Sequence, residues 1–83
     1  MMATDRTTTM TFVLSSHQRE ILEALTRHWE LIRWFRPRRW HMGDMAVDGR
    51  AVRGLLARGL IEPGGDYAGG QLVLTERGRT ALR

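Results

Sequence analysis

Met45-Ala46-Val47-Asp48-Gly49-Arg50-Ala51-Val52-Arg53-Gly54-Leu55-Leu56-Ala57-Arg58-Gly59-Leu60-Ile61-Glu62 is the stretch on which the fold turns. Asp48-Gly49 reads as a turn, with the Asp48 carboxylate placed to accept the first free N–H groups of a following helix. Val52, Leu55 and Leu56 recur at i, i+3 and i+4, so the helix expected from Gly49 to Arg58 has one apolar side. Arg50, Arg53, Gly54 and Ala57 make the opposite side small and basic. Gly59 suits the left-handed residue just past a helix end, and Leu60 the apolar residue that folds back on the last turn.

Beyond that helix, Leu60-Ile61-Glu62 and Gln71-Leu72-Val73-Leu74 are strand-like runs separated by Pro63-Gly64-Gly65-Asp66-Tyr67-Ala68-Gly69-Gly70, which signals a hairpin with a long tip. Thr75 caps a last short helix over Glu76–Leu82, whose Ala81 and Leu82 return to the core. On the other side, Ser15 with Gln18 fits a capping box. Ile21, Leu22, Leu25, Trp29 and Ile32 continue from it at helical spacing, which predicts a helix that runs to about Phe35 and frays from Glu30. Arg36 before Pro37 stops it. Arg19, Glu23 and Arg27 form an i,i+4 series on its outer side. Met42–Val47 has room for a turn or two of helix before Asp48. Residues 1–14 are expected to be a partly flexible segment or a short strand at Met10–Leu14, with one domain over 15–83.

From Trp40 to Leu82 the chain resembles winged helix-turn-helix domains of the broad bacterial kind that includes the MarR-like and PadR-like regulators. Met45–Glu62 and Leu72-Val73-Leu74-Thr75-Glu76-Arg77-Gly78-Arg79-Thr80-Ala81-Leu82 carry the likeness. The resemblance implies a small α+β fold: a three-helix core, a β-hairpin wing and a short C-terminal helix, with the end of a second helix near Met45–Val47. It implies a DNA-binding protein, a transcriptional regulator, that lays helix 49–58 in the major groove of double-stranded DNA. Arg50, Arg53 and Ala57 then face the groove, and Gly54 lets the backbone come close. The wing departs from the pattern, because Pro63–Gly70 holds Asp66 and no arginine. Tyr67 is left as its candidate contact.

With 83 residues, no cysteine and two prolines, the chain has room for one core and no disulfide or thiolate zinc site. All 13 basic residues are arginine, against 9 acidic ones, for a net charge of +4. Guanidinium groups grip phosphate oxygens in pairs, which suits a polyanion partner. An arginine-rich coding bias explains the absence of lysine equally well. Arg33-Trp34-Phe35-Arg36-Pro37-Arg38-Arg39-Trp40 is the densest basic and aromatic stretch. Its rings are expected in the core, and Arg36, Arg38 and Arg39 on phosphates.

His17 and His28 stand about 16 Å apart along a helix, too far to share a metal, and His28 is expected to be half buried beside the apolar stripe. No serine, histidine or carboxylate set has the arrangement of a catalytic site, so the expectation is a protein that is not an enzyme and needs no cofactor or metal. The start lacks a secretory pattern and no 18-residue apolar run occurs, which predicts no membrane association and a cytoplasmic location. One short recognition helix covers few base pairs, so a homodimer is the corollary of the regulator reading. The alternative is a winged-helix protein-protein interaction module, such as a phage-type inhibitor or accessory subunit. It would dock on a larger protein through Met10–Leu14 or the Trp34/Trp40 region.

Overall fold

The computed structural model describes residues 13–34, 39–67 and 69–83. They form an α+β domain with three helices and one antiparallel sheet of five strands. In chain order these are α1 (Ser16–Thr26), β1 (Leu31–Arg33), β2 (Trp40–Met42), β3 (Met45–Val47), α2 (Gly49–Ala57), β4 (Ile61–Pro63), β5 (Gln71–Leu74) and α3 (Glu76–Ala81). The sheet runs β3-β2-β1-β5-β4, so β1 is its central strand. Leu31 stands opposite both Met42 and Leu72, and the face carrying these three packs on the helices. Ile21, Leu22, Val47, Val52, Leu55, Leu60 and Ile61 complete the core.

Helix starts follow the sequence closely. Ser15 Oγ accepts the Gln18 N–H at 3.0 Å while Gln18 Oε1 accepts the Ser15 N–H at 3.1 Å, the reciprocal capping box. Asp48 Oδ1 accepts the Arg50 N–H at 3.0 Å, and Thr75 Oγ1 accepts that of Gly78 at 3.0 Å. The end of α2 is also as expected. Gly59 holds φ at 72° and donates to the Leu56 carbonyl, and the buried Leu60 donates to that of Leu55, which satisfies the last free carbonyls.

Two regions differ from the helical periodicity. α1 stops at Thr26 instead of reaching Phe35, because His28 takes the left-handed conformation with φ 71°. His28 N–H then bonds Leu25 O and Trp29 N–H bonds Ala24 O, the same closure that Gly59 gives α2. His28 and Trp29 are therefore exposed, and Ile32 lies on a strand. On α1 His17 Nδ1 lies 3.5 Å from Glu20 Oε1, and among the described residues no ion pair joins Arg19, Glu23 and Arg27.

The second difference is at 42–47. The expected short helix is a hairpin, β2–β3, in which Met42 pairs with Met45 around Gly43-Asp44. Gly43 has φ 64° and Asp44 does not have positive φ, the two-residue hairpin geometry that places glycine first. Strand β2 gains backbone partners on both sides this way, which a turn of helix here would forfeit. Trp29 leans over this turn against Gly43.

The aromatic residues divide. Trp40 packs half-buried against the core as expected, whereas Trp34 lies on the opposite sheet face, stacked on His41 with ring centroids 3.9 Å apart. His41 is 7% exposed, and neither ring nitrogen meets a partner among the described residues. Phe35 and residues 1–12 of the N-terminal segment lie outside the described residues. Leu14 packs on the core, and the Val13 carbonyl accepts a bond from Arg58 at 3.1 Å. No described helix is long and apolar enough to cross a membrane.

Candidate nucleic-acid interface

Helix α2 buries Ala51, Val52 and Leu55 and turns Arg50, Arg53 and Ala57 outward, as the sequence reading has it. Two residues change sides. Leu56 is 36% exposed, and Gly54 faces α1, where a Cβ would stand 2.7 Å from Gln18 Nε2. Gly54 lies under the end of the Gln18 side chain, whose Nε2 reaches the Ala51 carbonyl at 3.5 Å. A second tie across the helices is the Asp48 N–H, which donates to His17 Nε2 at 3.3 Å. Together they hold the start of α2 at a set height over the sheet.

The inner sheet face extends past the helices at one end, through Arg33 on β1 and its cross-strand neighbour Trp40 on β2. A cleft opens there between the sheet and α2. Arg33, Arg39 and Arg53 line it, with Trp40, Val47 and Gly49. The three cations come from three separate places in the chain, and Arg33 and Arg39 flank the stretch that the sequence marks as dense in arginine. The Arg33 guanidinium carbon lies 5.9 Å from the Trp40 ring centroid, a cation–π distance. Asp48 also borders the cleft, with its Oδ1 on the Arg50 N–H. The backbone of Arg33 is fixed, because its N–H donates to the Gly70 carbonyl at 2.9 Å and extends the β1–β5 ladder to the hairpin tip.

Trp40 also borders a second hollow, on the other side, between α2 and the β4–β5 hairpin. Leu56, Pro63, Tyr67, Gly70 and Leu72 line it with Trp40. The tip is ordered by Gln71, whose Oε1 accepts the N–H groups of Asp66 at 3.1 Å and Tyr67 at 3.3 Å. Tyr67 is exposed and its ring lies against Gly69. Of the anticipated contacts, Arg50, Arg53, Ala57, Arg39 and Tyr67 are all exposed, and Arg53 and Arg39 share one cleft. Arg36 and Arg38 lie outside the described residues. Sequence reading does not name Arg33 as a site residue and names Trp40 only for docking on a protein. Their cross-strand register in a hairpin is the signal that unites them, and periodicity assigned Arg33 to a helix.

The Leu74-Thr75-Glu76-Arg77-Gly78-Arg79 run serves the scaffold. Thr75 Oγ1 donates to the Gly59 carbonyl at 2.7 Å, and the Thr75 N–H to that of Leu60 at 3.1 Å. Gly78 packs directly on the Leu60 carbonyl. These contacts fasten α3 to the end of α2. Among the described residues no group of three or more histidines and carboxylates is placed to hold a metal ion. No family model, curated protein or solved structure matches the chain.

Proposed function

We propose that this chain is a small DNA-binding protein that grips phosphates with Arg33, Arg39 and Arg53 and presents the outer side of α2 to the groove. The observation that carries this reading is the convergence of three arginines on one cleft beside Trp40 at the start of α2. Guanidinium forks from three elements, at least one with a fixed backbone, match a row of phosphate oxygens better than mobile single charges. Arg50, in the first turn of α2, is the residue nearest to reading a base edge, since arginine bonds guanine O6 and N7 together. On a winged-helix reading, α2, the β4–β5 hairpin and α3 take the roles of recognition helix, wing and closing helix, with β2–β3 where a second helix would stand. The role is that of a transcriptional regulator, and two copies are needed to span a useful site.

The test is fluorescence anisotropy of a labelled duplex titrated at several salt concentrations. One phosphate on each of these three arginines gives a log-affinity against log-salt slope of roughly −2.7. Arg53→Ala weakens binding and flattens the slope by roughly 0.9, one phosphate's share. An unchanged affinity and slope in the Arg33→Ala/Arg53→Ala double variant rules the reading out.

A second reading has its own observation. Trp29 and Met45 are 53% and 49% exposed and border an apolar hollow with Ala24, Met42 and Asp44, none of which lines the arginine cleft. Exposed apolar surface of this kind suits a protein partner. On this reading Trp29→Ser abolishes function in cells and Arg53→Ala does not.

A further inference from the structure

From the row of Arg33, Trp40, Gly70, Gly69 and Tyr67, we infer that the hollow between α2 and the β4–β5 hairpin holds an unpaired base of the bound DNA strand. The inference rests on the DNA-binding reading above and names the kind of DNA that site takes.

The two concavities beside Trp40 differ in chemistry and share that residue as their common wall. One end carries the three guanidinium groups. The other presents Leu56, Pro63 and Leu72 with the Tyr67 ring. Between the two aromatic rings the floor is glycine. A Cβ on Gly70 would stand 4.0 Å from Trp40 Cη2, and one on Gly69 would stand 2.7 Å from both Tyr67 Cε2 and the Arg33 carbonyl oxygen. Gly69 thus packs on one edge of the Tyr67 ring, which stays 43% exposed, and Gly70 leaves room beside Trp40.

Charge decides which part of a nucleotide enters. Asp66 sits at the hairpin tip beside Tyr67, and no arginine lines this hollow, so a phosphate is repelled where a base is not. At the other end the arginines attract the phosphate. A nucleotide laid along the row therefore places its phosphate on Arg33, Arg39 and Arg53 and its base against Trp40 and Tyr67. Bases of a duplex are already stacked and cannot enter, whereas an unpaired base has both faces free. Aromatic stacking accepts any base, so the hollow recognises unpairedness and leaves sequence to α2.

Two labelled DNAs test this: a blunt duplex, and the same duplex with a three-nucleotide thymine tail. The native chain binds the tailed DNA roughly fivefold to a hundredfold tighter, the effect of one stacked base. Tyr67→Ala brings the ratio of the two affinities to about one, and Tyr67→Phe keeps the ratio. In a Trp29→Phe/Trp34→Phe variant, emission from the remaining Trp40 is quenched by the tailed DNA and not by the blunt one. Equal affinity of the native chain for both DNAs, with salt-dependent binding that Arg53→Ala weakens, overturns the inference and leaves the DNA-binding reading standing. No salt-dependent binding to either DNA overturns both.

Discussion

His28 holds a backbone φ of 71°, in the left-handed region that costs a residue with a Cβ about 1–2 kcal/mol, and it does so where a helix must end. Histidine is among the residues that enter this region more readily than most. Glycine would still do so at less strain, at the cost of a freer unfolded chain, so His28→Gly raises stability by about 0.5–1 kcal/mol in urea denaturation. Gly78 is the opposite case. Its helical backbone would accept alanine, but a Cβ there runs into the Leu60 carbonyl, a backbone atom that is itself bonded to the Thr75 N–H, and into Leu74 Cδ1. Gly78→Ala therefore destabilises by about 2 kcal/mol or more despite its better helix propensity, measured by the same unfolding midpoint. Gly54→Ala, which meets only the far end of Gln18, leaves both fold and DNA affinity in place.

Among elements, the β2–β3 hairpin shapes the candidate interface, because it pairs Trp40 with Val47, supports the strand that sets Trp40 beside Arg33 and delivers Asp48 to the start of α2. Its two-residue turn depends on Gly43, where alanine would have to adopt φ 64° and press on the Trp29 ring at 2.5 Å. Gly43→Ala is expected to cost about 1–2 kcal/mol from the backbone alone. It also weakens DNA binding through the displaced hairpin, which parallel urea and anisotropy titrations on the variant check. The turn was readable in principle: Trp40-His41-Met42 and Met45-Ala46-Val47 flank Gly-Asp, a known two-residue hairpin signature. The winged-helix likeness points instead to a helix before the recognition helix. At the end of α1, Leu31-Ile32 is an apolar pair too short to tell a helical period from that of a strand.

At the scale of the molecule, the arginines of the cleft are distributed over β1, the residue before β2, and α2, so their combined effect on a polyanion is a property of the fold. The salt slope of roughly −2.7 expected for DNA, and its loss of roughly 0.9 on Arg53→Ala, belong to this scale because they count phosphates neutralised together. Salt-dependent anisotropy reads both numbers directly. Sequence reading placed Arg50, Arg53 and Ala57 on the outer side of α2, since a helix face follows from spacing alone. It missed Arg33, whose position depends on which strand lies opposite it.

The sequence by itself determined the features that neighbouring residues decide among themselves. Ser15 with Gln18, Asp48 and Thr75 start their helices, Gly59 with Leu60 ends one, and the glycine-rich run between Ile61 and Leu74 makes a hairpin. The caps and the helix end are closed by hydrogen bonds within a few residues, and the hairpin follows from the glycine-rich turn between its strands, so local chemistry suffices. Only the tertiary structure decided that Leu31–Arg33 is a strand. β1 is three residues long and is held by β2 on one side and by β5, some forty residues away, on the other. A strand that short has no stability without its neighbours, whose backbone groups supply the partners its own segment lacks. The cleft that gathers Arg33, Arg39 and Arg53 is the consequence of that pairing.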